Sequence, residues 1–287
     1  MRKLKIAIIF VLILAIITLA IISYFLFIDI KSKMPETLKS KYDIQINEFN
    51  NRNVFTIEPK QLKNNNYIIY FHGGSYMAEI EDYHWNFIEK IIQNTGYSVI
   101  VPDYPLTPKY NYKDVFEMVE PLYKEIIKQI NPENTVLMGD SAGGGLALAL
   151  EQKLGEDGID IPQQLILISP WLDVTMENPQ IDEIQKYDKD LNKEALKVAG
   201  IAYAGRDGMD SYLVNPINGP VDKLKNVTIF TGTYDILNPD AKVFVEKANE
   251  QGVKINLKQY EGKPHIWLVK DDIEDIQNIY EVLKIED

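Results

Sequence analysis

The sequence predicts an α/β domain with a mostly parallel central sheet, helices on both faces and an inserted helical cap. Three observations predict it. Short β-rich runs alternate with helical stretches along most of the chain, the pattern of a doubly wound sheet. The strand-like runs are apolar on both faces, as strands of a covered parallel sheet must be. One stretch, Trp171 to Pro220, breaks the rhythm between two strands and is too long for an ordinary loop.

The elements follow in order. Lys31 to Lys63 reads as a polar connector that helps build the cap, with a possible hairpin, Tyr42–Phe49 and Val54–Glu58, around Asn50-Asn51-Arg52-Asn53. The main domain is placed at 64–287. Its strands are expected at Tyr67–Phe71, Ser98–Val101, Thr135–Met138, Gln164–Ile168, Val227–Thr231 and Ile255–Tyr260. Helices are expected at Tyr83–Gln93, Tyr112–Ile130, Ala142–Leu154, Ala241–Glu250 and Ile273–Lys284. The break at 171–220 is the cap insertion.

Composition removes several function classes. The 287 residues are 46% hydrophobic, enough for a full core, and carry a net charge of −12. An acidic chain is a poor partner for nucleic acid, whose phosphates need a basic surface. With no cysteine, disulfides, thiolate metal sites and a cysteine nucleophile are excluded. The histidines are His72, His84 and His265, too few for a His-rich metal site. No metal or organic cofactor is expected.

Residues 1–30 read as a membrane anchor. Arg2, Lys3 and Lys5 precede Ile6–Ile28, which holds no charged residue. Roughly 23 residues at 1.5 Å rise exceed the ~30 Å hydrocarbon core. The alternative is a cleaved secretory signal, whose apolar region is usually shorter, with Thr18-Leu19-Ala20 as a weak cleavage site. The basic N-terminus predicts a single-pass protein in the cell membrane with its C-terminal domain outside the cytoplasm.

The chemistry centres on Gly139-Asp140-Ser141-Ala142-Gly143, a G-x-S-x-G pattern. A strand before it and a small-residue helix after it make the setting of a nucleophile elbow, which exposes a serine hydroxyl at a helix start. Ser141 then needs a base. Only His265 follows it, in the loop after the last expected strand. The orienting acid belongs after the preceding strand, where Asp235 stands in Gly232-Thr-Tyr-Asp235; Asp240 is a rival. Backbone donors for an oxyanion are expected from Gly73 and Gly74, after the strand Tyr67–Phe71, and from Ala142. His72 precedes Ser141 and reads as a residue that shapes this loop. His84 reads as a surface or cap residue.

These motifs together resemble the α/β-hydrolase fold and, within it, the hormone-sensitive-lipase-like esterases. The resemblance runs from about Tyr67 to the C-terminus. It rests on His72-Gly-Gly-Ser75, Asp103-Tyr-Pro-Leu-Thr-Pro108, Gly139-Asp-Ser-Ala-Gly-Gly144, Ser169-Pro-Trp-Leu-Asp173, Gly232-Thr-Tyr-Asp-Ile-Leu237 and His265. The anchored layout is similar to that of the arylacetamide deacetylases. The resemblance implies a cofactor-free serine carboxylesterase acting on short- to medium-chain acyl esters, with small-molecule substrates. An amidase or deacetylase on acylated small molecules or sugars would use the same residues. A non-catalytic, membrane-tethered binding module is the reading from another class, and it would be expected to lack one of the three. Ser75 stands where the family has glycine, which leaves a backbone donor in place. Pro105 and Lys109 replace the usual arginine and acid near Asp103, so the resemblance does not carry a salt bridge over to that site, though Asp103 and Tyr104 remain. Trp267, where phenylalanine is common, is expected to narrow the acyl pocket. Tyr187, Tyr203 and Tyr212 lie in the insertion as pocket-wall or core residues.

Overall fold

The computed structural model describes residues 10–18, 28–29, 31–62, 64–270 and 274–283. They fall into two units, one within Met1–Ile30 and one within Lys31–Asp287.

The second unit is built on one eight-stranded sheet. Its strands are β1 (Tyr42–Phe49), β2 (Arg52–Pro59), β3 (Tyr67–Phe71), β4 (Ser98–Pro102), β5 (Thr135–Asp140), β6 (Gln164–Ile168), β7 (Val227–Gly232) and β8 (Ile255–Tyr260). The spatial order is β1-β2-β4-β3-β5-β6-β7-β8. From β4 to β8 every neighbouring pair is parallel. β1 and β2 form an antiparallel hairpin, and β2 pairs antiparallel with β4.

Period-2 alternation explains why the central strands β3 to β7 are buried on both faces. On β3, Ile69 and Phe71 join one core cluster while Ile68 and Tyr70 join the other. On β6, Leu165 and Leu167 face the first cluster, Ile166 and Ile168 the second. The first cluster takes in the helices Tyr112–Ile126, Ser141–Glu156 and Asn238–Glu250. The second takes in Asp82–Thr95 and Gln277–Leu283. Truncating one of these buried leucines to alanine costs about 2–5 kcal/mol, because the close-packed surroundings collapse only in part.

The segment 31–63 is more than a connector. Its hairpin completes the sheet, and Met34 and Leu38 join the second cluster, which holds no residue of 171–220. The compact domain therefore begins at Lys31 rather than at 64. Arg52, at the start of β2, is buried; its guanidinium lies 3.1 Å from the Asp103 carboxylate, and its Nε donates to the Asp103 carbonyl at 2.7 Å. Ser32 donates to the same carboxylate through both its N–H and its hydroxyl. A salt bridge does form at Asp103, with an arginine from a distant segment.

The insertion leaves the sheet after β6 and returns at β7. It carries the helices Gln180–Ile184 and Lys193–Ala204. Trp171, Val174, Leu196 and Tyr203 seal it onto the first cluster. Trp267 is buried in the second cluster, against Tyr260 at 5.2 Å between ring centroids, and so is core rather than an acyl-pocket wall. The C-terminal helix expected at Ile273–Lys284 is described as a short 3-10 turn and Gln277–Leu283; its expected end residues lie outside the described residues.

Most of the expected membrane span Ile6–Ile28 likewise lies outside the described residues. The part described, 10–18, is helical with exposed side chains. Among the described residues no helix is long and apolar enough to cross a membrane.

Glu151 lies buried on the Ser141–Glu156 helix, and burial pushes its carboxyl from 4.5 to about 8, with Lys225 offsetting only part of the cost. The native state then holds a proton that the unfolded chain has lost, so stability falls as pH rises from about 4.5 to about 8 and levels off above that. Glu151→Gln is expected to remove this slope and to raise the melting temperature at pH 8 by a few degrees, at about 2–4 °C per kcal/mol. Thermal unfolding of both proteins at pH 5 and pH 8 checks it.

Candidate active site

Ser141 stands where β5 turns into its helix. Its φ of 51° is a left-handed backbone value that a side chain adopts only under constraint. The constraint is close packing. A Cβ on Gly143 would stand 2.1 Å from the Phe71 carbonyl oxygen, so only glycine lets the helix start approach β3. The turn holds the Ser141 side chain at the carboxyl end of the sheet, as a nucleophile elbow does.

Two other strand ends complete the arrangement. Asp235 follows β7, and its Oδ1 accepts the Leu237 N–H at 2.8 Å. Its Oδ2 lies 2.9 Å from His265 Nδ1. His265, in the loop after β8, puts Nε2 3.0 Å from Ser141 Oγ. All three residues are buried. Nδ1 faces a carboxylate and so carries a proton, which leaves Nε2 of the neutral ring as the acceptor for the serine hydroxyl. Burial pushes the His265 imidazole down; the Asp235 carboxylate, with a smaller push from Asp188, turns the net displacement upward from 6.5. The rival Asp240 points elsewhere. It accepts from Asn178 at 2.8 Å, and burial raises it to about 7.

The loop after β3 supplies the donors, with one change from the expected set. The Gly73 N–H is not free: it donates to Asp140 Oδ1 at 3.0 Å. A Cβ there would stand 2.3 Å from Asp140 Oδ2. The N–H groups of Gly74 and Ser75 follow in a left-handed stretch, with φ of 113° and 55°, and make no hydrogen bond among the described residues. The Ala142 N–H lies in the first turn of its helix, where no intrahelical acceptor exists. Three backbone N–H groups of the loop after β3 and of the helix start thus remain without a hydrogen bond among the described residues: Gly74, Ser75 and Ala142.

Behind this loop lies a buried polar cluster that single-sequence reasoning missed. Asp140, the variable position of the motif, accepts from Gly73 and from the Tyr70 hydroxyl. His84 is fully buried rather than at the surface; its Nδ1 accepts the Glu81 N–H at 3.0 Å and its Nε2 faces Asp140 Oδ2 at 3.5 Å. Burial opposes the Asp140 charge, but His84 and Tyr70 outweigh it and hold the carboxyl below 3.8. His72 shapes the loop as expected. Its ring stacks on Tyr104 at 4.4 Å, and its carbonyl accepts the Tyr104 hydroxyl at 2.6 Å. Burial and the neighbouring His84 lower His72 to about 3, so it stays neutral and structural.

The insertion meets the site at several points. The Trp171 N–H donates to the Ser141 carbonyl at 2.9 Å. Tyr203 stacks on Tyr76 of the donor loop at 3.6 Å, with ring planes 4° apart. Tyr187 stacks on Tyr234, and Tyr212 donates to Glu156 at 2.5 Å, away from the serine.

A serine hydroxyl bound to an imidazole, itself bound to a buried carboxylate, beside unpaired backbone donors, can carry out acyl transfer. Known proteins agree with this class. The profile of the α/β-hydrolase fold family matches residues 68–269, and the chain belongs to that family. It is 33% identical over 198 residues to an esterase of Acinetobacter venetianus, a match covering 68% of this chain and 65% of that protein. It is 26% identical to an acetyl-hydrolase of Streptomyces hygroscopicus, over 70% of this chain and 67% of the relative. Among solved structures, a Staphylococcus aureus protein provisionally described as an esterase superposes with a TM-score of 0.84 at 28% identity, covering 90% of this chain and 88% of that one.

Asp140→Asn keeps the side chain's size and removes its charge. The donor loop is then expected to loosen, and kcat to fall about 10–100-fold with little change in KM, the loss typical of a misplaced oxyanion donor. Steady-state kinetics of the folded variant on an activated ester is the measurement.

Proposed function

We propose that this protein is a serine carboxylesterase acting on short- to medium-chain acyl esters. The observation that carries the reading is the continuous relay from Asp235 through His265 to Ser141, with contacts of 2.9 and 3.0 Å. In the first step His265 Nε2 takes the Ser141 proton as Oγ attacks the ester carbonyl. The carbonyl oxygen becomes an oxyanion held by the N–H groups of Gly74, Ser75 and Ala142. Asp235 stabilises the imidazolium, which then protonates the leaving alcohol. Water, activated by the same imidazole, attacks the acyl-enzyme and releases the acid. The named relatives, an esterase and an acetyl-hydrolase, support an ester substrate and leave acetyl groups within its range.

The localisation is part of the proposal. The described stretch Phe10–Thr18 is a helix of exposed apolar residues, Phe10 and Val11 among them, and suits a lipid environment. Ser32, just beyond residues 1–30, is bound to Asp103 and to the Ile80 N–H, both past the carboxyl ends of their strands. Full-length protein is expected to remain with the membrane fraction after a carbonate wash, and recovery in the soluble fraction would overturn the anchor.

Ser141→Ala is expected to lower kcat on p-nitrophenyl acetate by about 10⁴-fold or more, the scale seen when a nucleophile of this kind is removed. Near wild-type turnover would overturn the esterase reading and favour a binding module. A fluorophosphonate probe should label Ser141 in the native protein alone. The pH dependence has a definite sign. His265 acts as a base only when neutral, and its pKa lies above 6.5, so kcat/KM rises with pH through a midpoint above 6.5. Asp235→Asn removes the upward push and is expected to move that midpoint down as activity falls.

A further inference from the structure

The insertion holds a carboxylate that the relay does not include. Residues Lys186 to Asp190 form an exposed, charged run, yet within it Asp188 is buried. A carboxylate is left buried only where hydrogen bonds compensate it, and Asp188 has three backbone donors. Its Oδ1 accepts from Asp190 and Leu191 N–H, each at 2.9 Å, and so folds its own loop. Its Oδ2 crosses to the main domain and accepts the Ile236 N–H at 2.9 Å.

Ile236 directly follows Asp235. On the other side of Asp235, Tyr234 stacks against Tyr187 of the same run, with centroids 5.0 Å apart and planes 12° from parallel. Asp190 then reaches Lys270, on the short helix that follows His265, at 3.3 Å. One exposed run of the insertion thus grips the residue before Asp235, the residue after it, and the segment that carries His265.

We propose that Asp188 is a positioning residue for the Asp235–His265 pair, by which the inserted cap sets the geometry and charge environment of the base. The inference rests on the serine-esterase reading and deepens it. Two effects follow from one side chain. The Ile236 bond fixes the turn that aims Asp235 Oδ2 at His265 Nδ1. The carboxylate also adds a second negative charge near the imidazole. The charged groups around His265 come from three elements: Asp235 after β7, Asp188 from the insertion, and Lys270 on the following helix. Asp235 and Asp188 favour the imidazolium, and Lys270 opposes it. The cap is then a working part of the relay as well as a cover.

The test compares pH profiles of kcat/KM for Asp188→Asn, Asp188→Glu and Lys270→Met on p-nitrophenyl acetate, with full-length protein. Asp188→Asn is expected to lower kcat about tenfold with KM within about twofold, because transition-state geometry suffers more than binding. Its acidic limb should move to lower pH by roughly half a unit, the size of a nearby charge removed from a screened site. Asp188→Glu keeps the charge and should keep the limb near its wild-type position. Lys270→Met should move it the opposite way. Should the Asn variant fail to fold, Asp188→Ser, uncharged and smaller, is read in its place. A purely structural Asp188 would lower melting temperature and leave the limb where it was, and that result overturns the proposal. Equal shifts in the Asn and Glu variants overturn it too. Ser141→Ala runs alongside: if it stays active the esterase reading itself has failed, and if it is dead while Asp188→Asn matches wild type only the positioning role has.

Discussion

The carboxylate of Asp140 is the contact on which the site depends. It sits at the last position of β5, one residue before Ser141, and reaches across to the loop after β3. Without it, the Gly73 N–H would stand unpaired in a buried loop. With it, Gly73 is tied down, while the N–H groups of Gly74 and Ser75 make no hydrogen bond among the described residues. The Tyr70 hydroxyl and His84 close around the charge, so a group that burial would neutralise remains ionised. A charge-assisted bond to a backbone N–H is stronger than a neutral one and fixes position as well as energy. The parallel pairing of β3 with β5 makes this possible, because it brings both strand ends to one edge of the sheet.

Two further ties extend that logic to the chain's outlying segments. Arg52 and Asp103 form a buried pair that joins the N-terminal hairpin to the loop after β4. Removing one partner of such a pair leaves an uncompensated charge, which costs about 3–5 kcal/mol. The pair therefore makes the hairpin part of the domain. On the other side, the insertion is held by aromatic stacking of Tyr203 on Tyr76 and by the Asp188 bond to Ile236. The two contacts from the insertion end on the loops after β3 and β7, next to Ser75 and Asp235.

Legibility in the sequence followed the range of the interaction. The strands from Tyr67 to Tyr260 were readable because a covered parallel sheet demands apolar runs of a set length. The hairpin was readable from its turn, yet its place in the sheet was not, since β2 pairs with a strand some forty residues on. Ser141, His265 and Asp235 were readable because each sits in a loop after a strand, in the chain order of this fold. Asp240 lost its claim only when Asn178 was found beside it. Trp267 looked like a pocket residue and proved to be core, because helix phase decides which face a side chain takes. His84 looked like surface, as a lone histidine on a polar helix start does, and proved to be the back wall of the donor loop.

The sequence by itself determined the alternation of strand and helix, the serine at the turn after β5 and the one histidine that follows it in the chain, since periodicity and loop chemistry are local. The tertiary structure decided which backbone N–H groups of the loop after β3 are tied, which carboxylate meets His265, and which arginine answers Asp103. Those outcomes depend on atoms brought within 3 Å from segments far apart in the chain, and no local pattern records them. Gly73 shows the difference most plainly. As a glycine in a donor loop it belonged with Gly74, and the carboxylate of Asp140, 67 positions away, took its hydrogen.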